Sequence, residues 1–241
     1  MNKYAQPVVI LHIPKTAGTS LRRLIQENCN PEDIFYIYGE DSQFTTLRDF
    51  RKLTQEEKSA YKIFMGHIHF NPNLFAGLQP TFITMLRDPV DRVLSYYHHV
   101  MQRKEWQGNN ISLLKYIETS GDGQISNLQT RMLNGYPKHP VDEKQLETAM
   151  KNLENNFQIV GTTEKFEEVA EAICEFFGWE HKAIFRENVS EDRIRKEHYS
   201  EYEIEKIREI NRFDLELYDH VTKIDIKKLN FNNKTISLYN G

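Results

Sequence analysis

The chain has 241 residues, a formal net charge of −4 at pH 7, 39% hydrophobic and 27% charged residues. That is the balance of a globular domain, with no overall basic field to draw in nucleic acid. No apolar run approaches the roughly 20 residues that span a membrane. MNKYAQP leads almost at once into an apolar segment, so no signal peptide, no anchor and a cytoplasmic protein are expected. Cys29 and Cys174 stand far apart without metal-ligand spacing. Reduced thiols are the expectation, with a single disulfide left open.

Residues 8–13, VVILHI, form a short apolar run rich in β-branched residues, the pattern of a buried strand. Pro14, Lys15, Thr16, Ala17, Gly18, Thr19 and Ser20 follow, and LRRLIQ then opens a helix. A strand, a small-residue turn carrying a lysine, and a helix make a phosphate cradle. Backbone N–H groups at the helix start point outward, the helix dipole adds partial positive charge, and Lys15 adds a full one. The order differs from the nucleotide triphosphatase loop GxxxxGK[ST], because Lys15 precedes Gly18. This argues for phosphate binding and against Mg²⁺-dependent nucleotide hydrolysis; a strand–helix turn with a solvated lysine is the bland alternative.

Further along, Ile34–Tyr38 reads as a short strand and residues 43–60 as a helix in which Thr54 and Glu57 have capping-box spacing. Lys62–Met65 is a strand ending in Gly66-His67, and 71–80 is a loop. Phe82–Leu86 is a second clear buried strand. Arg87 follows it, then Asp88 as N-cap, Pro89 in the first turn, and a helix over Val90–Met101. Residues 111–120, 124–133 and 143–155 read as helices, Phe157–Val160 as a strand, and 164–177 as an amphipathic helix ended by Gly178. The stretch 180–200 is basic and irregular. Ser200 with Glu203 opens a last helix to about Tyr218, and a peripheral tail runs from Thr222.

Strands separated by helices predict an α/β domain with a central, mainly parallel sheet. Ligands of such sheets sit at the carboxyl ends of strands. Three features fall there: PKTAGTS, Gly66-His67 and Arg87-Asp88-Pro89. Arg87 and Ser95, two helical turns on, could share one phosphate through a charge-assisted bond and a hydroxyl bond. The alternative pairs Arg87 with Asp88 or Asp91 and leaves Ser95 in solvent.

The pair IPKTAGTS and LRDPVDRVLSYY resembles the two signature elements of sulfotransferases that use 3′-phosphoadenosine 5′-phosphosulfate (PAPS). FMGHIHF at 64–70, ISNLQTRMLNG at 125–135 and FQIVGTTEKFEEVAEAI at 157–173 are similar to the subgroup of heparan sulfate and uronyl 2-O-sulfotransferases. The resemblance spans roughly 8–220. It implies a P-loop-NTPase-like three-layer fold in one domain over residues 1–241. It also implies transfer of a sulfuryl group from PAPS to an acceptor hydroxyl, with a carbohydrate acceptor and no required metal.

By the same resemblance Lys15 neutralises the leaving 5′-phosphate and the backbone of Thr16, Ala17, Gly18, Thr19 and Ser20 cradles it. The hydroxyls of Thr19 and Ser20 join in, His67 is the general base, and Arg87 with Ser95 holds the 3′-phosphate. The remaining donor contacts fall on the 186–198 loop, where Arg193, Arg195 and Lys196 are candidates and a solvated charged loop is the alternative. Where the subgroup often has another histidine before the base, this chain has Met65. Gln129 and Arg131 could line the acceptor side or serve their helix. Arg22, Arg92 and Arg131 could line a cleft for a polyanion. His67 and His69 at i, i+2 lack a nearby acidic or thiol partner for a metal. An ATP-dependent kinase and an inactive phosphonucleotide-binding module remain as rival readings.

Overall fold

The computed structural model describes residues 6–38, 45–103, 111–121, 123–136, 140–180 and 196–223. Five strands form one sheet: β1 (Val8–Leu11), β2 (Ile34–Ile37), β3 (Ile63–Gly66), β4 (Thr81–Leu86) and β5 (Phe157–Thr162), in the order β2-β3-β1-β4-β5. Every pairing is parallel. The chain moves from β1 outward to β2, returns through β3, and crosses to β4 on the other side. β1 is therefore the central strand beside the point where the winding reverses, the place where such sheets open a crevice.

The two-residue period of a strand sorts the apolar run into two layers. Val9 and Leu11 pack with Phe64, Phe82 and Phe157 on one face. Val8 and Ile10 pack with Ile63, Met65 and Ile83 on the other. The second face is covered by α1 (Gly18–Asn28) and α8 (Phe166–Phe177), through Leu21, Leu24, Ile25, Val169 and Ile173. The first is covered by α6 (Leu128–Asn134), α7 (Glu143–Asn156) and α10 (Arg212–Lys223), through Leu133, Leu146, Leu153 and Leu217. With apolar side chains buried on both faces, β1 has no polar alternation to show. The result is the expected three-layer α/β arrangement. A third apolar cluster ties α4 (Pro89–Met101) to α5 (Leu113–Thr119) and α9 (Glu201–Ile210).

The expected caps are present. Asp88 accepts from the Asp91 N–H with Pro89 in the first turn, Thr54 and Ser200 make capping boxes, and Gly178 closes α8 at φ 70°. The structure divides two helices that the sequence reads as continuous. Within 43–60 it forms α2 (Leu47–Phe50) and α3 (Gln55–Ser59), because Thr46 and Thr54 each cap a separate start; residues 43 and 44 lie outside the described residues. The last helix breaks at Asn211. That side chain is fully buried, donates to the carbonyls of Ile125 (2.8 Å) and Ile207 (2.9 Å), and accepts from the Asn127 N–H (2.9 Å). Satisfying a distant turn outweighs continuing the helix. Beyond the break α10 runs to Lys223, past the expected tail start at Thr222. The helix expected from 124 begins only at Leu128, after a 3₁₀ turn over Gly123–Ile125.

Candidate functional site

The chain leaves β1 through His12 and Ile13 into the turn. Lys15 (φ 71°) and Ala17 (φ 59°) both sit in the left-handed region, a conformation that costs a residue with a Cβ of order 1–3 kcal/mol and gathers at functional sites. Thr16 holds the turn from inside: its N–H and its hydroxyl both donate to the Ile13 carbonyl, at 3.3 and 2.8 Å. Ala17 is the N-cap of α1 and has no side-chain cap bond. The first intrahelical bond that it accepts comes from Leu21. The amides of Gly18, Thr19 and Ser20 are thus helix-start donors aimed along the dipole. Gly18 leaves room for the His12 ring, since a Cβ there would lie 1.8 Å from His12 Nε2.

At the end of β3, Gly66 delivers His67 beside this turn. A Cβ on Gly66 would lie 1.8 Å from the Ile37 carbonyl oxygen, the same oxygen that accepts the His67 N–H at 3.0 Å. Three rings then meet. The His67 centroid is 4.7 Å from that of His12 and 4.7 Å from that of Tyr38, edge-on to the latter, and His12 Nδ1 is 3.1 Å from the Tyr38 hydroxyl. His67 is exposed to solvent, with the two other rings against it. Desolvation first, and Arg22 second, push its pKa from 6.5 down to about 4. Burial and then His67 itself push His12 well below the usual imidazole value. Both imidazoles are therefore neutral at neutral pH. The sequence places His12 and Tyr38 in strands and gives neither a role in the site. The available signal was a polar residue inside an otherwise apolar run, immediately before the turn.

At the end of β4, Arg87 reaches across to the turn and its Nη1 donates to the Lys15 carbonyl at 3.2 Å. Burial, then Arg87, lower the Lys15 pKa from its ordinary value, as expected of two cations held close together. Asp88 and Asp91 instead engage Lys196, at 2.9 and 3.4 Å. Ser95 is half-buried on α4, one turn before His99 on the same face. The His99 pKa is lowered by burial first and then by the charge of Lys15.

Other expected residues fall elsewhere. Gln129 is fully buried, and its carboxamide accepts from the Arg87 N–H (3.0 Å) and donates to the Arg87 carbonyl (2.9 Å). Arg131 is buried and donates from Nε and Nη2 to the Ser126 carbonyl, while its own carbonyl is 3.0 Å from His69 Nδ1. Arg92 cannot line a cleft: it is 0% exposed, donates to the Gln124 carbonyl at 2.7 Å, and is held in the interior partly by the charge of Asp214. Arg193 and Arg195 lie outside the described residues. Among the described residues no group of three or more His, Cys, Asp or Glu could hold a metal ion, and no helix is long and apolar enough to cross a membrane.

The family model described as "Sulfotransferase family" matches residues 3–220. Human uronyl 2-sulfotransferase is 29% identical over 128 residues, which cover 44% of this chain and 31% of that protein. Heparin sulfate O-sulfotransferase of Drosophila melanogaster is 23% identical over 197 residues, covering 70% and 56%. Heparan sulfate 2-O-sulfotransferase 1 of Gallus gallus is 24% identical over 186 residues, covering 67% and 52%. The chain thus spans between about a third and just over half the length of these relatives. A mouse sulfotransferase solved in complex with PAP superposes with a TM-score of 0.45 at 13% identity, covering 95% of this chain and 69% of that one.

Proposed function

We propose that this chain, which belongs to the Sulfotransferase family, moves a sulfuryl group from PAPS to a hydroxyl of a carbohydrate acceptor, releasing adenosine 3′,5′-bisphosphate. The observation that carries the proposal is the meeting of three strand ends. Lys15 with the α1 amides follows β1, a neutral imidazole at His67 follows β3, and the Arg87 guanidinium follows β4.

Sulfuryl transfer is mainly positioning and charge stabilisation. The acceptor oxygen attacks sulfur in line as the bond from sulfur to the 5′-phosphate oxygen breaks. Lys15 and the amides of Gly18, Thr19 and Ser20 take up the charge that develops on the leaving phosphate. The acceptor proton passes to His67, whose depressed pKa keeps it free to accept. Arg87 and Ser95 hold the 3′-phosphate at the neighbouring strand end. The carbohydrate acceptor rests on the similarity to a uronyl 2-sulfotransferase and a heparan sulfate 2-O-sulfotransferase. A cytoplasmic setting belongs to the same reading. Its support is that Cys29 and Cys174 are unpaired thiols, the state that a reducing compartment maintains.

The test is calorimetric titration with adenosine 3′,5′-bisphosphate, against ADP and against ATP with Mg²⁺, followed by transfer of labelled sulfate from PAPS to glycan acceptors. Preferential binding of the bisphosphate and label transfer are expected. Preference for Mg·ATP points to the kinase instead, and bisphosphate binding without transfer to any acceptor points to an inactive binding module.

A further inference from the structure

We infer that Gln129 is the positioning residue of the donor arginine. This rests on the reading of Arg87 as a donor contact. Arg87 is the first residue past β4, where pairing with a neighbouring strand ends. The Gln129 carboxamide supplies the missing partner, satisfying both the N–H (3.0 Å) and the carbonyl (2.9 Å) of Arg87 as an adjacent strand would. Two bonds from one planar group fix the peptide planes on either side of the Arg87 Cα, and so the direction in which its guanidinium leaves the sheet.

Gln129 is itself immobilised. Both Asp214 oxygens bind the first turn of α6, accepting from Gln129 N–H (3.0 Å), Thr130 N–H (2.7 Å) and the Thr130 hydroxyl (2.8 Å). Asp214 is held in turn through its own N–H by the Asn127 side chain at 3.1 Å. The path α10–α6–β4 ends at Arg87, whose guanidinium meets the Lys15 carbonyl. α6 also braces the base arm: the Arg131 carbonyl meets His69 and the Met132 carbonyl accepts from the Phe70 N–H at 2.7 Å. The Gln129 carboxamide, which the sequence leaves open to the acceptor side or to its own helix, is thus committed to the Arg87 backbone.

Gln129→Met keeps the length and removes both bonds. Calorimetry with adenosine 3′,5′-bisphosphate on the wild type, Gln129→Met, Arg87→Ala and the double variant forms a cycle. The wild type must bind; if it does not, the reading of the donor site has failed, and this inference with it. Given binding, Gln129→Met is expected to weaken affinity roughly tenfold, and to add little to the loss already caused by Arg87→Ala. Losses that add in full, or an unaltered affinity, overturn the positioning role. Leu153→Ala, a core truncation in α7, is the comparator for mere destabilisation: it lowers the melting temperature while leaving bisphosphate affinity in place. If Gln129→Met does not fold, Gln129→Asn, too short to reach both groups, takes its place in the same cycle with the same expected outcomes.

Discussion

The His12 and His67 rings lie with centroids 4.7 Å apart and tilted by 48°, contributed by the ends of adjacent strands β1 and β3. Both pKa values are lowered, by burial first, and then by Arg22 for His67 and by His67 and Arg22 for His12. The acid limb of kcat/KM is therefore expected far below the ordinary 6.5, near the value of about 4 set for His67. A pH–rate profile together with an NMR titration of the His67 ring checks this. A midpoint near 6.5 in either one contradicts the electrostatic picture.

The same shifts fix a sign for stability. Between the ordinary imidazole value and the lowered one, the unfolded chain binds protons that the folded chain does not, so stability rises with pH across that window. The contribution of His67 is thus full above about pH 6.5 and lost progressively as pH falls toward 4, and that of His12 is lost in the same direction on acidification. Urea denaturation midpoints at neutral and mildly acidic pH should fall on acidification. His12→Asn, which removes one of the two groups, should make the fall shallower. An equal or steeper fall in the variant would show that His12 does not take part.

Substitutions at the three strand ends should separate by kinetic signature. His67→Ala is expected to abolish turnover while leaving bisphosphate affinity intact. Lys15→Ala lowers turnover through lost charge stabilisation, a step worth on the order of 10²–10³-fold for one such donor. Arg87→Ala acts mainly on affinity, since a bond to a charged group contributes about 1.5–3 kcal/mol. Steady-state kinetics combined with calorimetry on the three variants tests the division of labour. Wild-type turnover in His67→Ala would remove it from the reaction.

Gly66 and Gly18 are both closed to a side chain, yet the obstacles differ. At Gly66 a Cβ meets the backbone oxygen of Ile37, and at Gly18 it meets the His12 ring, each at 1.8 Å. A ring can rotate away, whereas the carbonyl belongs to β2 and accepts the His67 N–H. Gly66→Ala should therefore cost the upper part of the roughly 1–3 kcal/mol typical of overpacking and lower activity by displacing His67. Gly18→Ala should cost less stability, with the displaced His12 reporting in the ring NMR signals. Thermal melts of the two variants give the order, and a larger loss for Gly18→Ala would refute it.

What could be read from the chain was local. The apolar run before Pro14, the lysine ahead of Gly18, the caps at Asp88, Thr54 and Ser200, and the Gly66-His67 step are all short-range signals, and the structure realises each of them. What escaped depends on long-range pairing. Nothing near Tyr38 says that β2 will lie beside β3 and bring its hydroxyl to His12. Nothing near Gln129 says that its amide will close on the backbone of Arg87. Arg92 misleads most, because an arginine after a strand–helix turn reads as surface. Its burial depends on a carboxylate in α10 that only the fold brings near.

That carboxylate gives a final prediction. Arg92 is wholly buried, its Nε and Nη1 lack hydrogen-bond partners, and burial lowers its pKa to about 10 against the opposing pull of Asp214. Replacing Asp214 by Asn withdraws a charge that favours the buried cation and removes an acceptor from the start of α6. The two Asp214 oxygens accept three bonds from the first turn of α6, and a buried donor left without its acceptor costs about 1–3 kcal/mol, so Asp214→Asn should shift the urea midpoint strongly downward. Removing the cation as well relieves the electrostatic part of that loss, because an apolar side chain of similar length needs no charge beside it. Arg92→Met in the Asp214→Asn background should therefore recover a substantial fraction of the lost stability, although each substitution alone destabilises. Equilibrium denaturation of the four proteins measures the coupling. Additive losses would mean that Asp214 acts only as the hydrogen-bond anchor of α6 and that the Arg92 charge is balanced elsewhere.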